Sequence, residues 1–363
     1  MIKSFKKGAL IIVLFFLGLL NTLALDLVYH NALEFKIIGR GFTDLEAPFD
    51  RLPKSLKGKI RQDLWDLGKN SAGIAIRFRT NSGTIGVNWK TMFGISHPHM
   101  AATGVRGLDL YCFFENRWQF MSTAKPAGSS ETKLILLSSM EKEEREYMMY
   151  LPLYDGTSFL EIGIDSSATI GHPQLPLPVT GHPVVFYGSS ITQGGCVSRP
   201  GMAYPAILER MLNTETINLG FSGDARMDIE ILEAMLTMSP SCYVIDCIPN
   251  CYAPRIKAVG YEFVHRLLTE KKNVPVIMIE NLWYSYAFFD KDWARDLNSR
   301  NEEWIKIYKR LKKEGYRQLH YVSAESLVGK PYEGTVDGTH LTDLGTQIFS
   351  DNLCKTLKKC KLK

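Results

Sequence analysis

Around residue 173 the apolar residues of this chain change their period, and one type of sheet cannot satisfy both spacings. From about Leu25 to Ser167 the alternation is mostly two-residue. In GIAIRFRT, Ile74, Ile76 and Phe78 share one face while Ala75, Arg77 and Arg79 share the other; after the turn NSGT, Ile85, Val87 and Trp89 repeat the pattern. That pattern predicts a hairpin. GLDLYCFFENRWQF reads as a second, turning at Glu115 and Asn116, and EYMMYLPLY and FLEIGI add strands separated at Asp155-Gly156. Short alternating strands between turn signals predict a β-sandwich of jelly-roll type. The segment GHPQLPLPVTGHP carries four prolines between Pro173 and Pro183, and proline cannot donate to a ladder, so a stiff connector is expected there. Beyond it VVFY, TINLG, CYVIDC, VPVIMIE and LHYVS are short, nearly continuous apolar runs. They alternate with helical patterns at Tyr204 to Leu212, Ile229 to Met238, and around Trp293, Leu297, Trp304 and Tyr308. This alternation predicts a parallel sheet covered by helices on both faces, with chemistry gathered at the strand C-terminal ends.

The 363 residues divide on this reading into a secretory signal (1–24), a β-sandwich domain (25–172), a proline-rich linker (173–183) and an α/β domain (184–363). Lys3, Lys6 and Lys7 precede an apolar run from Ala9 to Leu20 that is short for a membrane span, and small or polar residues end near Ala24. Secretion to the periplasm or beyond, without stable membrane insertion after cleavage, is the expectation. Loss of those three lysines lowers the formal charge from +5 to +2, which gives no reason to propose nucleic acid as a partner. The seven cysteines are an odd number with no framework spacing, and Cys247 and Cys251 have only His265 nearby in sequence, so neither a disulfide scaffold nor a zinc site is read from them.

The residues that end the strands of the second half carry the chemistry. The first strand delivers Ser189 and Ser190 in FYGSSITQGG; the second delivers Gly223 in NLGFSGD; the third delivers Asn250 in DCIPNC; and VDGTHLTDLG supplies Asp337 and His340. A hydroxyl, an imidazole, a carboxylate that can hold the imidazole's other nitrogen, and fixed N–H donors form the inventory of acyl transfer. Ser190 is the candidate nucleophile, with His340 as base and Asp337 as its orienting acid. The Ser190 and Gly223 backbone N–H groups and the Asn250 amide are the candidate oxyanion donors.

These four blocks resemble those of the SGNH or GDSL-type hydrolases. GSSITQG is similar to the family's Gly-Asp-Ser block, with Ser189 where the family has Asp; FSGD and IPNC resemble the Gly and Gly-x-Asn-Asp blocks, and DGTH matches Asp-x-x-His in full. The likeness spans about residues 180 to 358. GLDLY (Gly107 to Tyr111) resembles the signature of a β-rich domain found before such hydrolase domains in bacterial acyl hydrolases, and the pairing is similar to two-domain carbohydrate esterases. The resemblance implies a three-layer, flavodoxin-like α/β/α hydrolase domain and an esterase that removes small acyl groups, acetyl above all, from carbohydrate. It implies no cofactor.

Other readings fit the same residues. A lipase or lysophospholipase uses this chemistry on longer acyl chains, an acyltransferase adds a second acceptor pocket, and a glycan-binding protein could sit on an inactive hydrolase scaffold. Trp283 and Tyr284 follow the fourth strand and could line an acceptor groove or pack in the core. His97 and His99 in GISHPHM lack a third and fourth ligand in view, so no metal is expected and the loop reads as substrate-facing or structural. Asp224 and Asp246 are weaker candidates for the triad acid, since neither is tethered to His340.

Overall fold

The computed structural model describes residues 26–128, 130–328, 333–360 and 362, and the segment read as a secretory signal lies outside them. No helix among the described residues is long and apolar enough to cross a membrane.

The front half carries β1 (Leu27–Asn31), β2 (Lys36–Ile38), α1 (Gln62–Leu67), β3 (Ala75–Thr80), β4 (Ile85–Thr91), α2 (Ala102–Arg106) and β5 (Leu108–Phe114). It continues through β6 (Arg117–Ala124), β7 (Glu131–Leu137), β8 (Arg145–Tyr150), β9 (Thr157–Asp165) and β10 (Ile170–Gly171). The strands form two antiparallel sheets, one ordered β1-β9-β4-β7 and the other β10-β3-β8-β5-β6 with β2 beside β3. Ile76, Phe78, Leu110, Tyr147 and Met149 from one sheet meet Ile85, Val87, Trp89, Leu160 and Ile162 from the other in a single buried cluster. Each such side chain contributes about 1.5–3 kcal/mol by leaving water, and this inter-sheet burial is what makes the two layers one sandwich.

The β5–β6 hairpin turns at Glu115 and Asn116, both with positive φ (48° and 60°), the geometry a two-residue turn requires. The other expected hairpin is not one. β3 and β4 lie in different sheets: β3 pairs with β8 and β4 with β9. The chain crosses the sandwich at Ser82, whose hydroxyl donates to the Thr84 carbonyl and accepts from the Thr84 and Asp165 N–H groups. Two alternating segments with their apolar faces toward one core can pair side by side or face to face. Their period alone does not distinguish these arrangements.

The back half holds β11 (Val179–Gly188), α3 (Ser190–Gln193), α4 (Tyr204–Leu212), β12 (Thr214–Gly220), α5 (Ile229–Leu236), β13 (Cys242–Asp246) and α6 (Ala253–Glu270). After these come β14 (Val276–Ile279), α7 (Lys291–Lys313), β15 (Leu319–Val322) and α8 (Asp343–Lys359). All five strands are parallel in the order β12-β11-β13-β14-β15. β11 pairs Val179 with Thr214 before its register breaks and resumes at Val184, so the end of the proline-rich segment already belongs to the strand. Tyr204, Leu208, Phe349 and Leu353 of α4 and α8 cover one face of the sheet; Ile231, Phe263, Val264 and Trp304 of α5, α6 and α7 cover the other. The result is a three-layer α/β/α domain of flavodoxin-like strand order behind a β-sandwich. In such a sheet the strand order reverses between β11 and β13, and the crevice outside their C-terminal ends is where ligands bind.

The two halves are joined by buried polar contacts. Asp109 of the GLDLY segment is fully buried and accepts from the Arg199 guanidinium (2.7 Å), the Gly201 N–H (2.9 Å) and the Thr123 hydroxyl (2.6 Å). Arg199 also lies over the Phe120 ring at 3.7 Å. Arg51, likewise buried, donates to the carbonyls of Asn218 and Gly220 at the C-terminal end of β12 and to those of Leu67 and Asn70 in its own half. A guanidinium that satisfies four strand-end and loop carbonyls offsets part of its desolvation by those bonds, and burial still pushes the Arg51 group down to about 9.

Candidate active site

Ser190 follows the C-terminal end of β11 as the first residue of α3. The turn is tight because Gly188 has no side chain: a Cβ there would sit 1.9 Å from the Thr192 hydroxyl and 2.8 Å from the Asp246 carbonyl. Ser189 is buried, caps the short helix by accepting from the Ile191 N–H (3.3 Å), and donates its own N–H to the Asp246 carbonyl (3.1 Å). Its buried hydroxyl is engaged in that cap, and the residue shapes the bend. Below it, one Asp246 carboxylate oxygen accepts from both Thr192 and Tyr204 hydroxyls at 3.0 Å. Burial pushes the Asp246 carboxyl up to about 7, against the two hydroxyl bonds that favour its charged form.

The opposite side of the site is a loop. Asp337 Oδ1 accepts from the N–H groups of Thr339 (3.0 Å) and His340 (2.8 Å), and Oδ2 lies 2.7 Å from His340 Nδ1. Partial burial works to raise the Asp337 carboxyl; the His340 N–H and ring and the Thr339 N–H outweigh it and hold the group below its ordinary value. His340 Nε2 lies 2.8 Å from Ser190 Oγ. With Nδ1 committed as donor to a carboxylate, Nε2 is the acceptor and the serine hydroxyl donates to it. Of the weaker acid candidates, Asp224 pairs with Arg61, and Asp246 lies under α3 with its two hydroxyl partners.

Gly223 adopts φ +75°, in a turn whose preceding N–H, that of Ser222, is held by the Gln193 side chain (3.0 Å). Gln193 also donates to the Leu153 carbonyl of the sandwich (3.0 Å). Asn250 ends a short 3-10 turn after β13, and its Oδ1 accepts from the Ala225 N–H (3.3 Å), which leaves Nδ2 as the outward donor. Among the described residues no protein acceptor takes the Ser190 N–H, the Gly223 N–H or the Asn250 Nδ2 protons. Gly223 and Asn250 line one depression with Arg226, Tyr252 and Arg255.

The remaining candidates separate. Tyr284 is buried against Ala287 and Leu297 with its hydroxyl on Asn281, so it packs in the core. Half-buried Trp283 lines a small crevice with Gly338 and Thr339, behind the Asp337–His340 loop. His99, from the sandwich, stands beside the triad with its ring 5.9 Å from that of His340, and His97 packs edge-on against Tyr154 (5.7 Å). Their loop is pinned by buried Asp155, which accepts from the N–H groups of Met92, Phe93 and Ile95. Sequence reasoning missed Cys196, whose thiol lies close to His99, Asp337 and His340. Burial pushes that thiol up to about 12, with the Asp337 charge adding to the rise, so at neutral pH it is protonated and a poor nucleophile. All seven cysteines are buried free thiols.

A parallel sheet with β11 at its switch point, a serine on the following turn and an Asp-x-x-His loop before the last helix define the SGNH class of hydrolases. Residues 181–358 match the model of the GDSL-like lipase/acylhydrolase family, and residues 27–170 match that of the N-terminal domain of SGNH-hydrolase-type esterases. A protein described as a GDSL-like lipase from Bacteroides ovatus is 33% identical, superposes with a TM-score of 0.88, and is matched over 93% of this chain and 99% of its own. The chain belongs to the GDSL-like lipase/acylhydrolase family. The fold, at lower identity, is also that of the salicylyl-acyltransferase SsfX3 from a tetracycline biosynthetic pathway (15% identity, TM-score 0.73, 93% and 99% covered). It is shared again by an acetyl xylan esterase from the rumen bacterium Butyrivibrio proteoclasticus (14%, 0.54, 92% and 98%). No curated protein matches the chain.

Proposed function

We propose that this protein is an exported serine esterase that removes small acyl groups, acetyl above all, from carbohydrate. The observation that carries the reading is the chain of contacts from Asp337 through His340 to Ser190, at 2.7 and 2.8 Å. Ser190 Oγ attacks the ester carbonyl as His340 Nε2 takes its proton, and the sugar alcohol leaves with that proton. Water then repeats the sequence on the acyl-serine and releases the carboxylic acid. The Ser190 and Gly223 N–H groups and the Asn250 amide stabilise the oxyanion. No cofactor enters these steps. The acetyl xylan esterase of the same fold supports the carbohydrate reading by analogy, and the charged leader with its apolar run supports export.

The test is acetate release from a panel of acetylated polysaccharides by the wild type and by Ser190→Ala. The variant should lose at least about a thousandfold in kcat with its fold intact. Hydrolysis of p-nitrophenyl esters should fall as the acyl chain lengthens. A rate that rises with chain length makes the protein a lipase, and undiminished activity in Ser190→Ala overturns the nucleophile.

A further inference from the structure

His340 has more partners within reach than acyl transfer uses. One nitrogen each of His99 and His340, the Cys196 sulfur and an Asp337 oxygen all lie within 4.8 Å of one another. They come from three separate parts of the chain: the sandwich loop held by Asp155, the segment after α3, and the turn before α8. Two imidazoles, a thiol and a carboxylate form a donor set suited to zinc, which binds nitrogen and sulfur at about 2.0–2.3 Å in a tetrahedron. Ligand atoms in such a tetrahedron stand about 3.3–3.8 Å apart, so side-chain rotations of about an ångström close the set.

The backbone at Cys196 supports this. Its φ is +71°, a left-handed conformation that a residue with a Cβ adopts at a cost, and it follows Gly194 and Gly195, of which Gly194 is itself left-handed (φ +108°). Two residues on, Thr103 donates to the Ser198 carbonyl and the Ser198 N–H donates to Asp343 at the start of α8 (2.8 Å), so the chain just after Cys196 is tied to both the sandwich and α8.

We propose that the triad is also an inhibitory site for a borderline-soft divalent metal ion, zinc above all, with His99 and Cys196 completing the ligand set. The inference rests on the esterase reading for its consequence, though not for the binding itself. In the catalytic arrangement both ring nitrogens of His340 are occupied, Nδ1 by Asp337 and Nε2 by Ser190. A metal on either nitrogen displaces one of those partners, so bound metal and an active triad exclude each other. Binding releases the Cys196 proton to solvent and involves no redox change. Hard ions such as magnesium and calcium, which take oxygen ligands, find one carboxylate here and do not compete.

Two measurements on the full chain test this. In the first, ZnCl2 is titrated into p-nitrophenyl acetate hydrolysis. Inhibition should be reversed by EDTA and absent with magnesium or calcium at the same concentration. Cys196→Ser and His99→Ala should each raise the half-inhibitory zinc concentration at least about tenfold, each variant being referred to its own metal-free rate. In the second, Co2+ is added and the thiolate-to-cobalt charge-transfer absorption recorded. The band should form in the wild type and in Ser190→Ala and be missing in Cys196→Ser, with circular dichroism confirming that each variant is folded. The cobalt measurement needs no turnover, so it decides the metal site even if the esterase reading fails. No cobalt–thiolate band in the wild type overturns the proposal. Zinc inhibition equal in the wild type and both variants also overturns it.

Discussion

Ser190 and His340 touch each other but are held by opposite means. The serine is positioned from below by the fold: a β-strand that ends at a glycine, a buried Asp246–Thr192–Tyr204 cluster under the helix, and the Tyr154 hydroxyl reaching the Ser190 carbonyl from the sandwich (3.3 Å). Its partners are spread over both halves of the chain. The histidine is positioned mainly by its own loop, which the Ser285 N–H (3.2 Å, to the Gly338 carbonyl) and the Tyr286 hydroxyl (3.0 Å from that of Thr339) brace from outside. Asp337 holds the ring and the backbone N–H of a residue three positions away, and the Val336 N–H donates to the His340 carbonyl (2.8 Å). One half of the site is tertiary and the other mostly local, and they should fail differently when disturbed.

The largest expected effect tests the local side. His340→Ala removes the proposed base and should lower kcat by about ten-thousandfold or more, while thermal unfolding shifts little because the loop's backbone bonds remain. A large loss of stability in that variant would show that the loop is not self-sufficient. Next is Asn250→Ala, which removes one candidate oxyanion donor and should cost about a hundredfold to a thousandfold in kcat with KM little changed. An effect confined to KM would place Asn250 in substrate binding instead.

The tertiary side is tested by Asp109→Ala, which leaves Arg199 without its carboxylate partner and frees the Gly201 N–H. About 2–4 kcal/mol of stability should be lost in chemical unfolding, with activity falling as the segment between α3 and α4 loosens. A stability change with full activity would detach the GLDLY contact from the site.

The last effect is read as a slope. Asp246 is raised to about 7 by burial, so the folded protein keeps a proton that the unfolded chain releases. Unfolding therefore becomes easier as pH climbs from about 4 to about 7. Asp246→Asn should flatten that dependence and be at least as stable as the wild type at pH 7. Glu209, raised by burial to about 7 as well, leaves a residual slope of the same sign. An unchanged slope would mean that the Asp246 carboxyl is ionised in the fold.

This contrast also decides what could be read from sequence. Asp337 and His340 stand three apart and their relation is carried by one turn, so spacing alone proposes it. The five strands of the back half announce themselves because parallel strands buried on both faces are continuous apolar runs. Partners determined by packing left no such trace. Arg51 and Gln193 are ordinary polar residues in the chain, and nothing local says that one closes the end of β12 and the other braces the Gly223 turn. His99 and Cys196 are 97 positions apart in the sequence and meet only because the sandwich docks where it does. The β3–β4 segment does not form the expected hairpin for the same reason: its alternation names an inner face but not the sheet to which that face belongs.

The Arg51 guanidinium reaches out of the sandwich to close the end of a strand in the neighbouring fold, while Leu153 and Tyr154 brace the helix that carries Ser190. A truncated chain beginning at residue 184 would inherit every proposed reacting group and lose much of their scaffolding. On the esterase reading the working unit is the pair of folds, and swapping the front one for a relative's would disturb the support of Ser190 and remove His99 from beside His340.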